Sequence, residues 1–234
     1  MNVLAFDTCL GAVSAAVRWR SARGEWLLYE AYEELTVGHA ERLLPIIDSV
    51  MNGAGLVYRQ LDRIAVTMGP GGFTGLRVGI AAARAFALAT GKPVVGMSSL
   101  AIMAERANLL LGDSRAGRIL GVAVDARRSA YYVQLFGDNA GAPLSEPQLL
   151  TASEAAGLLP MGAVVMVGSG ATAVAAAADR DDVEAILPGL QPHARQLALI
   201  APVLIPLDHV RPLYLRAADA KPSSVPPLPR RTGP

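Results

Sequence analysis

Two kinds of residue in this 234-residue chain have the type and spacing for chemistry: a glycine-rich run and two aspartates. The run at residues 69–75 lies between a predicted strand and a predicted helix, where backbone N–H groups and the helix dipole can hold an anion. Asp7 and Asp125 each follow an apolar segment and begin a predicted turn. Phosphate chemistry is therefore the first hypothesis to weigh.

The run does not match the common nucleotide-binding motifs. Leu76 and Arg77 follow Gly75, where a P-loop requires Lys and Ser or Thr. Counted from Gly69, the dinucleotide fingerprint requires glycine where Thr74 stands. Glycines also permit a tight turn that lets a helix approach a sheet closely. From the residues alone the run is either a phosphate cradle or a structural turn, and the structural turn is favoured.

Residues that bind metals or act as nucleophiles are scarce. His39, His193 and His209 are the only histidines, and no two are close in sequence. The single cysteine, Cys9, excludes an internal disulfide and is typical of a reducing compartment, so we expect its thiol to be buried packing. The sequence predicts no metal and no cofactor.

Composition and charge narrow the class of protein. Apolar residues make up 52% of the chain, enough for a sizeable core. With 21 Lys and Arg against 20 Asp and Glu, the net charge is +1, whereas proteins that bind RNA alone usually carry a strong basic excess. No signal-peptide pattern and no uniformly apolar 18-residue run is found, so we expect a cytoplasmic protein with no membrane contact.

Hydrophobic periodicity predicts the elements and shows that their order repeats. In the first half we predict strands at 3–7, 11–19, 26–35, 61–68 and 94–96, and helices at 39–52, 76–90 and up to 111, with a bend at Pro45. In the second half we predict strands at 119–124, 130–136 and 164–167, and helices at 153–158, 171–178 and 194–204. Two strands around an Asp-bearing turn thus begin each half, which indicates an internally duplicated α/β fold. The second half is shorter.

The glycine run extends into one longer motif that comprises Gly69, Pro70, Gly71, Gly72, Phe73, Thr74, Gly75 and Arg77. Further motifs lie at residues 4–8, 39–45, 125–128, 167–171 and 212–216. Together these motifs resemble the TsaB (YeaZ) family over about residues 2–216, and we call the first of them the family loop. The resemblance implies an actin-like, ribonuclease H-like fold with an N-terminal lobe at 1–111, a degenerate C-terminal lobe at 112–216 and a disordered tail at 217–234.

The same resemblance implies a non-catalytic subunit in the synthesis of tRNA threonylcarbamoyladenosine. Catalytic relatives carry two metal-binding histidines four residues apart, whereas Leu43 stands four residues after His39. The nucleotide loops look like relics, because side chains replace glycines in the second turn. The relic residues are Asp7, Thr8, Asp125 and Gly168. Implied partners are a TsaD-like transferase, a TsaE-like ATPase, tRNA through the complex, and a second copy when the chain is alone.

Two helices are expected to form the partner interface, because the family pairs through the first two helices of its N-terminal lobe. The predicted interface residues are Leu43, Leu44, Ile47, Met51, Leu76, Gly79, Ile80, Ala83 and Ala87. A bulky residue at Gly79 or Ala83 is expected to block pairing without unfolding the chain. The alternative is that this alanine-rich stripe packs internally, as such surfaces usually do.

Three other functions compete with this hypothesis, and the residues support them to different degrees. An actin-like phosphotransferase would use Asp7 to hold metal and phosphate. A tRNA-binding module would use Arg127, Arg128, Arg211, Arg216 and the tail residues Arg230 and Arg231, although the net charge argues against it. A peptidase lacks support, since neither paired metal ligands nor a Ser, His, Asp order is present.

Overall fold

The computed structural model describes residues 1–137 and 143–216. Its strands are β1 (Val3–Asp7), β2 (Ala12–Arg20), β3 (Trp26–Glu34), β4 (Arg63–Thr67), β5 (Val94–Met97), β6 (Ile119–Asp125), β7 (Tyr131–Phe136), β8 (Gln148–Leu150), β9 (Val164–Val167) and β10 (Val183–Ala185). Its helices are α1 (His39–Gly53), α2 (Phe73–Thr90), α3 (Ser99–Leu111), α4 (Ala152–Gly157), α5 (Ala171–Ala178) and α6 (Ala194–Ile200). The predicted tail at 217–234 lies outside the described residues.

The first sheet places helices on both of its faces. Its strand order is β3-β2-β1-β4-β5, with β1 antiparallel to β2 and parallel to β4. Leu4 and Phe6 of β1 pack with α1 and α2, whereas Val3 and Ala5 point to the opposite face and pack with α6. Alternate side chains of β1 therefore pack into two separate hydrophobic cores, one on each face of the sheet.

The second sheet repeats the connectivity of the first. Its order is β10-β9-β6-β7-β8, with β6 antiparallel to β7 and parallel to β9. Each half therefore begins with a three-stranded meander and adds two parallel strands beside the first. The predicted actin-like, two-lobed α/β fold with a degenerate second half is confirmed. Two strands that we did not predict, β8 and β10, have three residues each.

Two helices pack against the sheet of the other half. Leu100 and Met103 of α3 pack with the second sheet, and Leu197 and Ala198 of α6 pack with the first. The strands nevertheless separate cleanly along the chain, because β1 to β5 form the first sheet and β6 to β10 form the second. The division into lobes at 1–111 and 112–216 stays a prediction.

Several element boundaries differ from those we predicted. Helix α2 begins at Phe73 rather than Leu76, so the last three residues of the glycine run form its first turn. Helix α6 ends at Ile200, and a short 3-10 helix (Ala201–Val203) replaces its predicted last turns. Helix α1 continues past Pro45 to Gly53. Gly91 ends α2 in the left-handed conformation, as expected.

Among the helices of the described residues, none combines the length and the apolar character needed to cross a bilayer.

Candidate functional site

The glycine-rich run packs against the turn between β1 and β2. The Thr8 hydroxyl donates to the Gly75 carbonyl at 2.7 Å, and the Gly72 N–H donates to the Cys9 carbonyl at 2.8 Å. A Cβ at Gly71 would lie 2.1 Å from the Cys9 oxygen, and one at Gly75 would lie 2.0 Å from the Thr8 oxygen. We call Thr8, Cys9, Gly71, Gly72 and Gly75 the glycine clasp. The clasp supports the structural-turn interpretation of the run.

The first of the two loops predicted to be nucleotide-loop relics is closed to solvent at Asp7 and Thr8. Asp7 is fully buried, and Thr8 is 2% exposed. One carboxylate oxygen of Asp7, Oδ1, accepts hydrogen bonds from the Thr67 hydroxyl and from the Cys9 N–H. The other oxygen, Oδ2, has no hydrogen-bond partner among the described residues. In this conformation a nucleotide or a metal ion in solution does not reach Asp7.

Burial dominates the electrostatics of this loop. It raises the pKa of Asp7, and the hydrogen bonds from Thr67 and Cys9 offset only part of that increase. Burial also raises the pKa of the Cys9 thiol well above its ordinary value, with the Asp7 charge adding to the effect. The Cys9 sulfur lies 3.1 Å from the Thr67 hydroxyl. A buried thiol that stays protonated is a packing group and not a nucleophile.

The second loop predicted to be a relic, at Asp125, is open to solvent and has a different backbone conformation. Asp125 is exposed, and its Oδ1 accepts from the Arg127 N–H at 2.6 Å. The Asp125 N–H donates to the Ser169 hydroxyl at 3.0 Å. Arg127, Arg128 and Ser129 all adopt positive φ, at 65°, 55° and 58°. Three residues with side chains therefore occupy backbone positions that favour glycine. A turn that binds phosphate closely would have small residues at such positions.

Gly168 and His39 each have a packing role. Gly168 has φ 93°, and a Cβ there would lie 2.5 Å from the Ala123 oxygen. The His39 Nε2 lies 2.7 Å from the Leu10 carbonyl oxygen, which anchors the start of α1 to the β1–β2 turn. In the part of the chain that the structure describes, no three His, Cys, Asp or Glu side chains are grouped as metal ligands would be. His39 therefore has a structural contact within the chain at the start of α1.

The family loop also holds the segment that follows residue 210. Arg77 stacks its guanidinium 3.7 Å from the centre of the Phe73 ring and donates from Nε to the Tyr214 hydroxyl at 3.2 Å. The Phe73 and Tyr214 rings lie 6.0 Å apart. Deeper in the structure, the Ser99 N–H and hydroxyl donate to the carbonyls of Gly69 and Pro70. Two motifs of the resemblance, at 69–77 and 212–216, are thus in contact.

Most of the predicted interface residues face the core of the chain itself. Leu44 is exposed and Ala87 is half-buried, but the remaining seven are buried. These seven are Leu43, Ile47, Met51, Leu76, Gly79, Ile80 and Ala83. A Cβ at Gly79 would lie 2.6 Å from the Thr8 hydroxyl oxygen, so a bulky residue there would have to displace Thr8 or α2. The stripe of small residues packs internally along this side of α2.

The outward faces of α1 and α2 carry a different set of apolar residues. Leu88 is 89% exposed and Leu44 is 54% exposed. Pro45, Ala81 and Ala85 are exposed as well. We call these five residues the helix-pair surface. Successive residues of a helix are rotated by about 100°, so Leu88 lies about 120° around α2 from buried Leu76. The helical period alone could therefore have predicted that Leu88 lies on the outer side of α2.

Comparison with known proteins gives consistent matches. The model of the TsaD family, tRNA N6-adenosine threonylcarbamoyltransferase, matches residues 33–184. The tRNA threonylcarbamoyladenosine biosynthesis protein TsaB of Haemophilus influenzae is 36% identical over 132 residues, which is 56% of this chain and 52% of that protein. An uncharacterized protein of Mycobacterium tuberculosis is 32% identical over 233 residues, 96% of each chain. The structure of YeaZ from Pseudomonas aeruginosa aligns with a TM-score of 0.78 at 28% identity, covering 92% of this chain and 99% of that one.

Proposed function

Because this chain belongs to the TsaB (YeaZ) family, we propose that it is a non-catalytic partner subunit in the synthesis of tRNA threonylcarbamoyladenosine. It binds a TsaD-like transferase through the helix-pair surface and makes no bond itself. The observation that carries this proposal is the exposed apolar face of two adjacent helices, with Leu88 almost fully in solvent. Exposed apolar patches on a folded chain mark interaction surfaces.

The position of each helix supports a single continuous surface. Arg42, on one side of α1, forms an ion pair with Glu33 of β3 at 2.6 Å. Leu44 lies two residues further, about 200° around the helix, and so faces away from β3. Helices α1 and α2 cover the same face of the first sheet, so Leu44 points toward the side of α2. Two helices from each partner can bury the roughly 1,600 Å² of a standard interface.

The closed first loop supports the absence of catalysis. An actin-like phosphotransferase would need Asp7 within reach of metal and phosphate, yet Asp7 is fully buried beneath the glycine clasp. Calorimetry of the isolated chain with Mg-ATP discriminates between the two functions. Little or no heat is expected, and tight binding would favour the phosphotransferase.

Other partners follow from the same proposal. A TsaE-like ATPase joins the complex, tRNA reaches the chain through the complex, and two copies of the chain pair through the same surface when the transferase is absent. The homodimer and the complex with the transferase should therefore be mutually exclusive. The compartment we propose is the cytoplasm.

Co-purification tests the proposal. Leu88→Arg places a charge on the most exposed large apolar side chain of the helix-pair surface and should abolish co-purification with the transferase. Ile205→Arg is the matched control, because Ile205 is 84% exposed and lies outside the helix-pair surface, beyond α6. Both variants should keep the melting temperature of the native chain. If Leu88→Arg co-purifies as well as Ile205→Arg does, the proposed interface is wrong.

A further inference from the structure

Basic side chains converge around two adjoining surface grooves at the end of α2 and the beginning of β5. The first groove, of about 460 Å³, is lined by Arg84, Lys92, His209 and Arg211 among others. The second, of about 380 Å³, is lined by Arg59 and again by Lys92. We call these five residues the basic groove. Of the described residues that line either groove, Asp208 alone is acidic.

The side chains of the basic groove form no ion pair with an acidic residue in the part of the chain that the structure describes. Elsewhere on the surface, Arg42 pairs with Glu33 and Arg118 pairs with Glu184. Within residues 1–137 and 143–216, by contrast, no ion pair involves Arg59, Lys92 or Arg211. Unpaired charges that share a groove create a local positive potential, even though the whole chain has a net charge of only +1.

One of these side chains is already positioned. Arg84 donates from Nε at 3.0 Å and from Nη2 at 2.5 Å to the Val210 carbonyl, which fixes its guanidinium at the wall of the groove. Its Nη1 group has no partner among the described residues. A guanidinium that is fixed on one edge presents its other N–H groups to an anion at low cost in conformational entropy.

The shape favours an extended polyanion. Lys92 lines both grooves, so the cations form a connected row along the surface. Phosphate groups spaced along a nucleic-acid backbone match such a row. The row also borders the helix-pair surface, since Ala87 and Ala89 line the grooves on either side of Leu88 in the helix.

We propose that the basic groove binds the phosphate backbone of tRNA when the chain is in its complex. This inference rests on the proposed function, because it takes the RNA from the reaction of the complex. The basic groove was not predicted from the sequence. Of the described arginines that the sequence suggested for RNA binding, only Arg211 lies in this groove. The contacts are with the backbone, so they add affinity without reading base sequence.

The test measures tRNA binding by the purified complex at salt concentrations between about 50 and 200 mM. Lys92→Glu and Arg211→Glu should each weaken binding by roughly tenfold and reduce the slope of log K against log salt by about 1. Arg23→Glu is the control: it makes the same charge change on an exposed arginine of the β2–β3 turn and should leave binding unchanged. If the groove variants bind tRNA as the control does, the inference is wrong.

Two further measurements separate the alternatives. Size-exclusion chromatography should show that all three variants still form the complex, so a loss of RNA binding cannot arise from lost assembly. If the native chain forms no complex, the proposed function fails, and tRNA binding by the isolated chain then decides this inference. Calorimetry with pyrophosphate identifies a small phosphorylated ligand: pyrophosphate heat that Lys92→Glu abolishes, with tRNA binding unchanged, would overturn the assignment to RNA.

Discussion

The glycine clasp predicts that adding one methyl group at Gly75 destabilises the protein. Gly75 lies in the first turn of α2, where replacing glycine by alanine ordinarily stabilises a helix by about 0.5–1 kcal/mol. Here the added Cβ would lie 2.0 Å from the backbone oxygen of Thr8, so β1 or α2 must move. Forced overpacking of this kind costs about 1–3 kcal/mol.

The hydrogen bond across the clasp adds to this cost. Moving α2 away from the turn lengthens the 2.7 Å bond from the Thr8 hydroxyl to the Gly75 carbonyl, which contributes about 1 kcal/mol. The net effect of Gly75→Ala is a destabilisation of about 1–3 kcal/mol. For a chain of this size that lowers the melting temperature by roughly 3–10 °C.

Circular dichroism during heating and urea titration measures the effect. Gly157→Ala is the matched control, because Gly157 also lies in a helix and a Cβ added there would have no neighbouring atom within 4 Å. That variant should melt at or slightly above the native temperature. A Gly75→Ala protein at least as stable as the native chain would refute the clasp.

A second comparison separates a backbone clash from a side-chain clash. A Cβ at Gly79 would meet the Thr8 hydroxyl oxygen at 2.6 Å, so Thr8→Ala should partly rescue Gly79→Ala. The same substitution should not rescue Gly75→Ala, because the Thr8 backbone oxygen remains. Equal rescue of both variants would contradict the geometry.

Two predictions concern pH. Burial lowers the pKa of His193 to about 4, so the stability linked to its neutral form is intact above pH 6.5 and is lost as the pH falls toward 4. His193→Asn keeps a hydrogen-bond acceptor at the start of α6 but does not titrate in this range. In urea titrations this variant should therefore lose less stability between pH 6.5 and 4 than the native chain does. Burial raises the pKa of Asp7, so the stability linked to its protonated form is present below about pH 4 and is lost as the pH rises through the folded-state pKa. Asp7→Asn should therefore gain stability relative to the native chain between pH 4 and 7, and a constant difference over that range would argue against a buried charge.

Local pattern was sufficient for most of the fold. Strands such as β1 and β9 are short apolar runs bounded by turn residues, and the apolar positions of α1 recur at spacings of three and four. The three-residue strands β8 and β10 have no measurable period, and their place in the second sheet depends on pairing with β7 and β9. The early start of α2 was missed because glycine at position 75 reads as a loop residue.

The candidate site was predicted less well than the fold. The expectation that the Cys9 thiol is buried is confirmed. Which apolar residues are exposed was not predictable from their type, because Leu43 and Leu44 differ only in the side of α1 on which they lie.

By itself, the sequence determined the duplicated order of elements, the family and the position of the glycine run, since these depend on residue types and local spacing. The tertiary structure decided what the run does. The Thr8 hydroxyl and the Gly75 carbonyl are 67 residues apart in the chain, and only folding brings them within hydrogen-bonding distance. It likewise decided that α3 and α6 pack against the sheet of the other half, and that Lys92 and Arg211 share a groove. Contacts between distant segments leave no periodic signal in the sequence, because the spacing of their residues along the chain is not set by helix or strand geometry.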